Sequence, residues 1–449
     1  MKVLTARAVL VATAGLMTVG ATHSAQSQDR RNVQEPVPPT QVCAVLSADD
    51  APSAKVGQAK LQAALDGCRT GQAVRLTPSR TKAVFASGPI EMRAGVVLWL
   101  DAGAVLAAEP DPRLYDLGDG RCGLINNAGG GCRPFLNFHK ANGAGLMGDG
   151  TIDGQGGAVM IGKAETWWAL ASRAQVEGRE QNVPRLVQID SSNNITVYRI
   201  TLRNAPNVHI AMNKVQGVTV WGVTINTPAD ARNTDGIDPG AAMDVTIART
   251  FISTGDDDIA IKAGDNGATR HVSILDIHIY SGHGLSIGSE TNSGVSDVLV
   301  RNVTIDGAVS GLRIKSDPSR GGLVQAVRYE NVCVRGSRRP IDFDTRYDPR
   351  AQGTKIPVYS NIVLRQVAGE GGRLVMHGYD AAHPLGVSLD GVRFVDNATW
   401  DVVNTQAIVM AGGVTPPIGA PAAAWSAVNG PNCKALWTPF PGDTAVQSH

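Results

Sequence analysis

VTVWGVTI at Val218–Ile225, VTIARTFI at Val245–Ile252, VSILDIHI at Val272–Ile279 and VLVRNVTI at Val298–Ile305 are copies of one pattern: apolar, any, apolar, two of any kind, apolar, any, apolar. VRYENVCV from Val327 and VSLDGVRF from Val387 repeat it, ITVYRITL from Ile195 precedes it, and IVLRQVAG from Ile362 is a degraded copy. Most starts are roughly 23 to 29 residues apart, a period used by repeat architectures. Within each copy the alternation is that of a strand burying one face. A second short strand follows in each period: DIAIK, GLSIG, GLRIK, PIDFD and RLVMH. Two or three short strands per turn, stacked on the next turn, predict an all-β chain coiled as a right-handed parallel β-helix. A propeller would need a period of about 40 residues or more, with four strands in each. The amphipathic segment carrying Leu61, Leu65 and Cys68 reads as a short N-terminal helix that caps the open end of the coil.

TGDDDIAIK, Thr254–Lys262, places three carboxylates in a row beside strand residues of that coil. A solvated turn, a calcium site and a pair of catalytic acids are the competing readings. Asp256 and His283 each lie 11 residues into their own repeat, while Asp235 and Arg313 lie 17 and 15 residues into theirs. Successive turns of such a coil are about 4.8 Å apart, so these residues form a column on one outer face. That periodic placement weighs against a solvated turn. Arg313 and Lys315 in the same column would repel a calcium ion, whereas carboxylates for proton transfer and cations for an acidic substrate account for all of them.

Net charge is +1 over 449 residues, which excludes the broad basic field of a nucleic-acid binder. Lys2 and Arg7, an apolar run to Ala21 and small residues up to Ser27 predict a signal peptide over residues 1–27. A polar, Pro-containing linker follows over 28–40, then the β-helix over 41–430 and a C-terminal tail over 431–449. No second apolar stretch is long enough to cross a bilayer, so a secreted, extracellular protein is expected, with no membrane partner. Six cysteines suit an oxidising compartment. Cys43 with Cys68, and Cys122 with Cys132, read as staples; Cys333 and Cys433 are candidates for a third bond whose connectivity the sequence leaves open. No CxxC pair is present to suggest structural zinc.

With these residues in hand the sequence resembles the polygalacturonases of glycoside hydrolase family 28. Four motifs carry the likeness in order: NTD at Asn233–Asp235, GDD at Gly255–Asp257, GHG at Gly282–Gly284 and RIK at Arg313–Lys315. GDGTIDGQGG at Gly148–Gly157, ARNTDGIDP, SIGSET and GLRIKSD are similar to stretches in secreted bacterial endo-polygalacturonases. The resemblance implies Asp256 as the general acid, Asp235 and Asp257 as the pair activating the attacking water, and His283 as support for the acid. It further implies Asn233, Arg313, Lys315 and Tyr347 as substrate-binding residues, with polygalacturonate or pectin as substrate, no metal and no other cofactor. Asp258 and Lys262 match no catalytic position of the family, and Trp167 and Trp168 fit core packing better than sugar stacking. The segment after Trp400 departs from the family pattern and reads as a loosely packed tail.

The leading expectation is inverting, endo-type hydrolysis of α-1,4-linked galacturonan by a monomer. Exo-type cleavage, a calcium-dependent pectate lyase and a silent polysaccharide-binding solenoid are the alternatives. Short segments between Asp235 and Tyr347 favour an open groove; the Cys122–Cys132 loop and the Trp167 helix are the parts able to fold over it.

Overall fold

The computed structural model describes residues 32–418 and 430–442. The signal-peptide segment 1–27 lies outside the described residues. The chain winds as a right-handed parallel β-helix, and the repeat is its turn. Val218, Val245, Val272, Val298, Val327, Ile362 and Val387 pair in consecutive register down one sheet. All are buried, stacking like on like through the coil's interior. The break in the alternation also has a cause. Gly222, Arg249, Asp276, Asn302, Asn331 and Gln366 occupy the same place in successive copies, and each has a positive φ. One left-handed residue there turns the chain around a corner and returns the next apolar side chain inward. Asn, Asp and Gly meet this demand at least cost; Arg249 and Gln366 bear it with the support of the stacked turns.

Among the described residues the strands form a 20-stranded sheet, an 11-stranded parallel sheet and a small antiparallel pair of Ile125–Asn126 with Glu180–Gln181. The second short strand of each turn belongs to the 11-stranded sheet, whose order follows the turns: Val187–Asp190, Ile210–Asn213, Ile237–Asp238, Ile259–Ile261, Leu285–Gly288, Ser310–Lys315, Arg339–Asp344 and Arg373–His377. This sheet positions the candidate site.

Helix Ala54–Gly67 begins at Ser53, whose hydroxyl accepts the Val56 N–H, and it buries Leu61 and Leu65 in the first turns of the core. The disulfide Cys43–Cys68 ties the helix to the first strand, and Cys122–Cys132 closes the Gly-rich loop. The third, Cys333–Cys433, joins a central strand to the C-terminal segment.

Two segments are held more closely than the sequence suggests. Residues 32–40, expected as a linker, reach the outer face of the coil, where Tyr198 donates its hydroxyl to Glu35 Oε1 at 2.7 Å. Residues 430–442 are not a loose tail. Besides the disulfide, Arg335 stacks on Trp437 at 4.2 Å, Tyr280 donates to the Thr438 carbonyl at 2.8 Å, and Phe440 meets Tyr280 edge to face.

Candidate active site

The site is built in the turns that enter the 11-stranded sheet. Thr234 donates to the Ala231 carbonyl at 2.6 Å and accepts the Gly255 N–H at 3.1 Å, pinning the Asp235 turn onto the GDD turn. Thr254 donates to Asp258 Oδ1, and Asp258 Oδ2 accepts the Gly284 N–H, each at 3.0 Å. The buried Asp258 therefore clamps its own turn to the next. Gly284 has a φ of +81°, and a Cβ there would stand 2.1 Å from the Ser310 carbonyl oxygen. Only glycine lets the His283 turn lie this close to its neighbour.

His283 Nδ1 lies 3.0 Å from Asp256 Oδ1, which also accepts the Asp257 N–H at 3.0 Å. The Asn233 N–H donates to Asp256 Oδ2 at 3.3 Å, and Gln181 donates to the Asn233 side-chain carbonyl at 2.8 Å. Asp257 accepts from Lys315 Nζ at 2.6 Å and from Ser286 at 2.8 Å, with Arg313 at 3.7 Å. Tyr347 lies beneath both cations, its ring centre 5.1 Å from the Arg313 guanidinium and 5.2 Å from Lys315 Nζ. Asp235 faces Lys262 Nζ at 3.4 Å, and Asp238 faces the same ammonium at 2.9 Å.

All these carboxylates sit in a groove of ≈ 990 Å³ that runs along the coil axis. Asn137 and His139 lie at its early end, and Lys315, Arg320 and Tyr347 at its late end. It spans seven consecutive turns of the sheet, about 29 Å at strand spacing.

The electrostatics divide the acids. Burial pushes the Asp235 carboxyl well above its ordinary value, reinforced by Asp238 and opposed by the Lys262 charge. Asp238 is raised by burial too, again against the pull of Lys262. Asp256 is also pushed up by burial, but the His283 hydrogen bond, the His283 and Lys315 charges and the Asp257 N–H outweigh this and hold it at about 2. Burial works against the Lys262 ammonium, yet the charges of Asp238, Asp235 and Glu290 keep it firmly protonated.

Asn233, Asp235, Asp256, Asp257, His283, Arg313, Lys315 and Tyr347 thus meet in one constellation, with two surprises. Lys315 is buried and already engaged by Asp257, so it is not a free surface cation in the unliganded protein. Lys262, set aside in the sequence for want of a family match, is paired with Asp235 and Asp238. Its signal was present: Lys262 follows the inward Ile261 and so shares the outward column of Lys315. Asp238 meets Lys262 only through the sheet register, which places Ile237 against Ile259 and Gly240 against Lys262.

Asp256, Asp257 and His283 offer possible metal-ligand atoms within 4.8 Å of one another. Their chemistry does not fit calcium, which takes about six to eight oxygens. One member is an imidazole, and the oxygens of Asp257 are engaged by an ammonium and a hydroxyl.

Acid side chains gathered in a long polar groove are the equipment of an enzyme that cleaves glycosidic bonds in a polymer. The chain belongs to glycosyl hydrolases family 28, whose sequence profile matches residues 124–411. It is 41% identical over 385 residues to an endo-polygalacturonase of Pectobacterium parmentieri, covering 85% of this chain and 94% of that one. It is 37% identical to a polygalacturonase of Ralstonia solanacearum, covering 75% and 72%. The structure of the polygalacturonase from Erwinia carotovora ssp. carotovora superposes with a TM-score of 0.81 at 39% identity, over 85% of this chain and all of that one.

Proposed function

We propose that the protein is an exported, monomeric endo-polygalacturonase that hydrolyses α-1,4-galacturonosidic bonds of polygalacturonate with inversion. The observation that carries this is the groove: it continues for several turns on the early side of Asp256 and past it to Tyr347, so a chain can lie across the acids without presenting an end. The Gln181 segment, paired with Ile125–Asn126 of the disulfide loop, flanks the groove at Asn233. Asn137, His139 and Asp190 extend the groove beyond it.

In this reading Asp256 gives its proton to the glycosidic oxygen as the bond to C1 breaks. A water held against Asp235 and Asp257 attacks C1 from the opposite face and loses a proton to Asp235. Both oxygens of Asp257 are engaged, one by Ser286 and the other by Lys315, which leaves Asp235 the better placed to take the proton. The free site holds its protons in the opposite order to the one required: Asp256 is ionised and Asp235 is pushed toward its neutral form. A galacturonate carboxylate brought to Lys315 offsets part of the positive charge that stabilises ionised Asp256, which moves Asp256 toward the protonated form its role as acid requires. Lys262 favours the ionised form of Asp235.

The apolar N-terminal run and the three disulfides support export to an oxidising compartment. The decisive experiment is product analysis on polygalacturonate in the presence of a chelator. Saturated oligogalacturonates of inverted anomeric configuration are expected, with near-complete loss of turnover in a folded Asp256→Asn variant. Unsaturated products, or activity abolished by the chelator, would replace hydrolysis with a metal-dependent lyase reaction.

A further inference from the structure

The turns that carry the acids continue, beyond His283, as a row of arginines. The backbone shows the continuity directly: His283 N donates to the Asp256 carbonyl, Val309 N to Gly282, Arg339 N to Val309 and Arg373 N to Arg338. Ser310 pairs in register with Arg339 on the next strand. Arg338, Arg339 and Arg373 therefore stand two to three turns past His283 on the same edge of the sheet, about 10 to 15 Å along the axis. With Ser310, Arg313 and Asp342 they line a cavity of ≈ 390 Å³.

This cavity abuts the catalytic groove through Arg313, which touches Asp257 on one side and Asp342 at 3.2 Å on the other. Asp342 is buried, accepts from Ser310 at 3.1 Å and pairs with Arg339 at 3.2 Å, so it fixes two guanidinium groups from below. Arg373 is paired with Asp401 at 2.7 Å. Arg338 is exposed and has no ion pair among the described residues. Arg339 and Arg373 keep 46% and 60% of their side-chain surface open, enough for a second partner beyond their aspartates. Arg313, Arg339 and Arg373 are thus held by Asp257, Asp342 and Asp401, while Arg338 adds a positive charge on the solvent side that no carboxylate among the described residues pairs. Planar, pre-oriented guanidinium groups suit bidentate capture of carboxylates.

We propose that Arg338, Arg339 and Arg373 form a binding site for galacturonate carboxylates on the part of the polymer lying over the turns after His283, and that this site sets which bond of an oligomer is placed over Asp256. The proposal rests on the polygalacturonate reading of the groove. Occupancy of these turns holds the chain in frame by charge, and methyl-esterified residues are rejected there because an ester offers no anion.

The test combines binding and product distribution. In an Asp256→Asn background, Arg338→Ala/Arg339→Ala should weaken binding of octagalacturonate by about three- to tenfold in calorimetry. The fully methyl-esterified octamer should show no such difference. In the otherwise native protein, Arg338→Ala alone, which breaks no ion pair, should shift the cleavage positions of reducing-end-labelled hexagalacturonate. Arg199→Ala, on the other sheet's outer surface, is the control for general loss of positive charge. Unchanged affinity and unchanged product ratios overturn the proposal, as does an equal loss in Arg199→Ala. Failure of the native protein to hydrolyse polygalacturonate would remove the hydrolase assignment, while the binding comparison would still decide the site.

Discussion

Lys262 joins Asp235 and Asp238 through one ammonium group inside a cluster of buried acids, and its removal has a definite sign. Asp235 is already raised by burial, with Asp238, Asp256 and Asp257 adding to the rise and Lys262 opposing it. Glu290 faces the same lysine, and Arg185 acts on Asp238 from the early side. Lys262→Met should raise the carboxyl pKa further, so that the base is neutral over a wider acidic range. The acidic limb of the kcat/KM profile should move to higher pH by about one unit, with Lys262→Arg restoring it. A profile unmoved in Lys262→Met would show that the ion pair does not govern the base. At this scale the four motifs were readable because each catalytic side chain sits in a short run with its own spacing. The pairing of Lys262 with an aspartate 27 residues earlier was not, because it depends on which turn stacks on which.

The elements explain why the motifs recur where they do. Each of these turns has a left-handed residue at the mid-repeat corner and another just before its repeat, as at Gly217, Asp244 and His271, and the types at the corner vary from Gly222 to Arg249 because the stacked backbone enforces the conformation. The pattern of two unconstrained residues in mid-repeat was visible in the sequence; its origin as a corner was not. The C-terminal element is the other instance. A Gly-, Pro- and Ala-rich approach gave no sign that Trp437 docks on the coil, and Cys433 stood only as a candidate partner of Cys333, since neither carries a repeat. Cys333→Ser/Cys433→Ser should lower unfolding stability by about 2 to 4 kcal/mol in denaturant titration, because the bond closes a 100-residue separation. Cys333 lies in the other sheet from the acids, so kcat should be unchanged. A changed kcat with unchanged stability would contradict both halves of that expectation.

For the whole molecule, the consequence of a groove extending to both sides of the acids is measurable in bulk. Viscosity of a polygalacturonate solution should collapse while few reducing ends have been released, because internal cuts shorten chains fastest. Slow viscosity loss with mono- or digalacturonate as the sole early product would mean that one end of the groove is closed. The sequence by itself determined the coil, since a period-two pattern repeated at nearly constant spacing has few ways to bury its apolar face, and that coil brings the motifs into one column. Only the tertiary structure decided the ion pairs of Lys262 and Lys315, the anchoring of residues 430–442 and the arginine row beyond His283. Each of these depends on the register between turns and on side chains meeting across it, and a hydrophobic period fixes which face a residue takes without fixing its neighbour on the next turn.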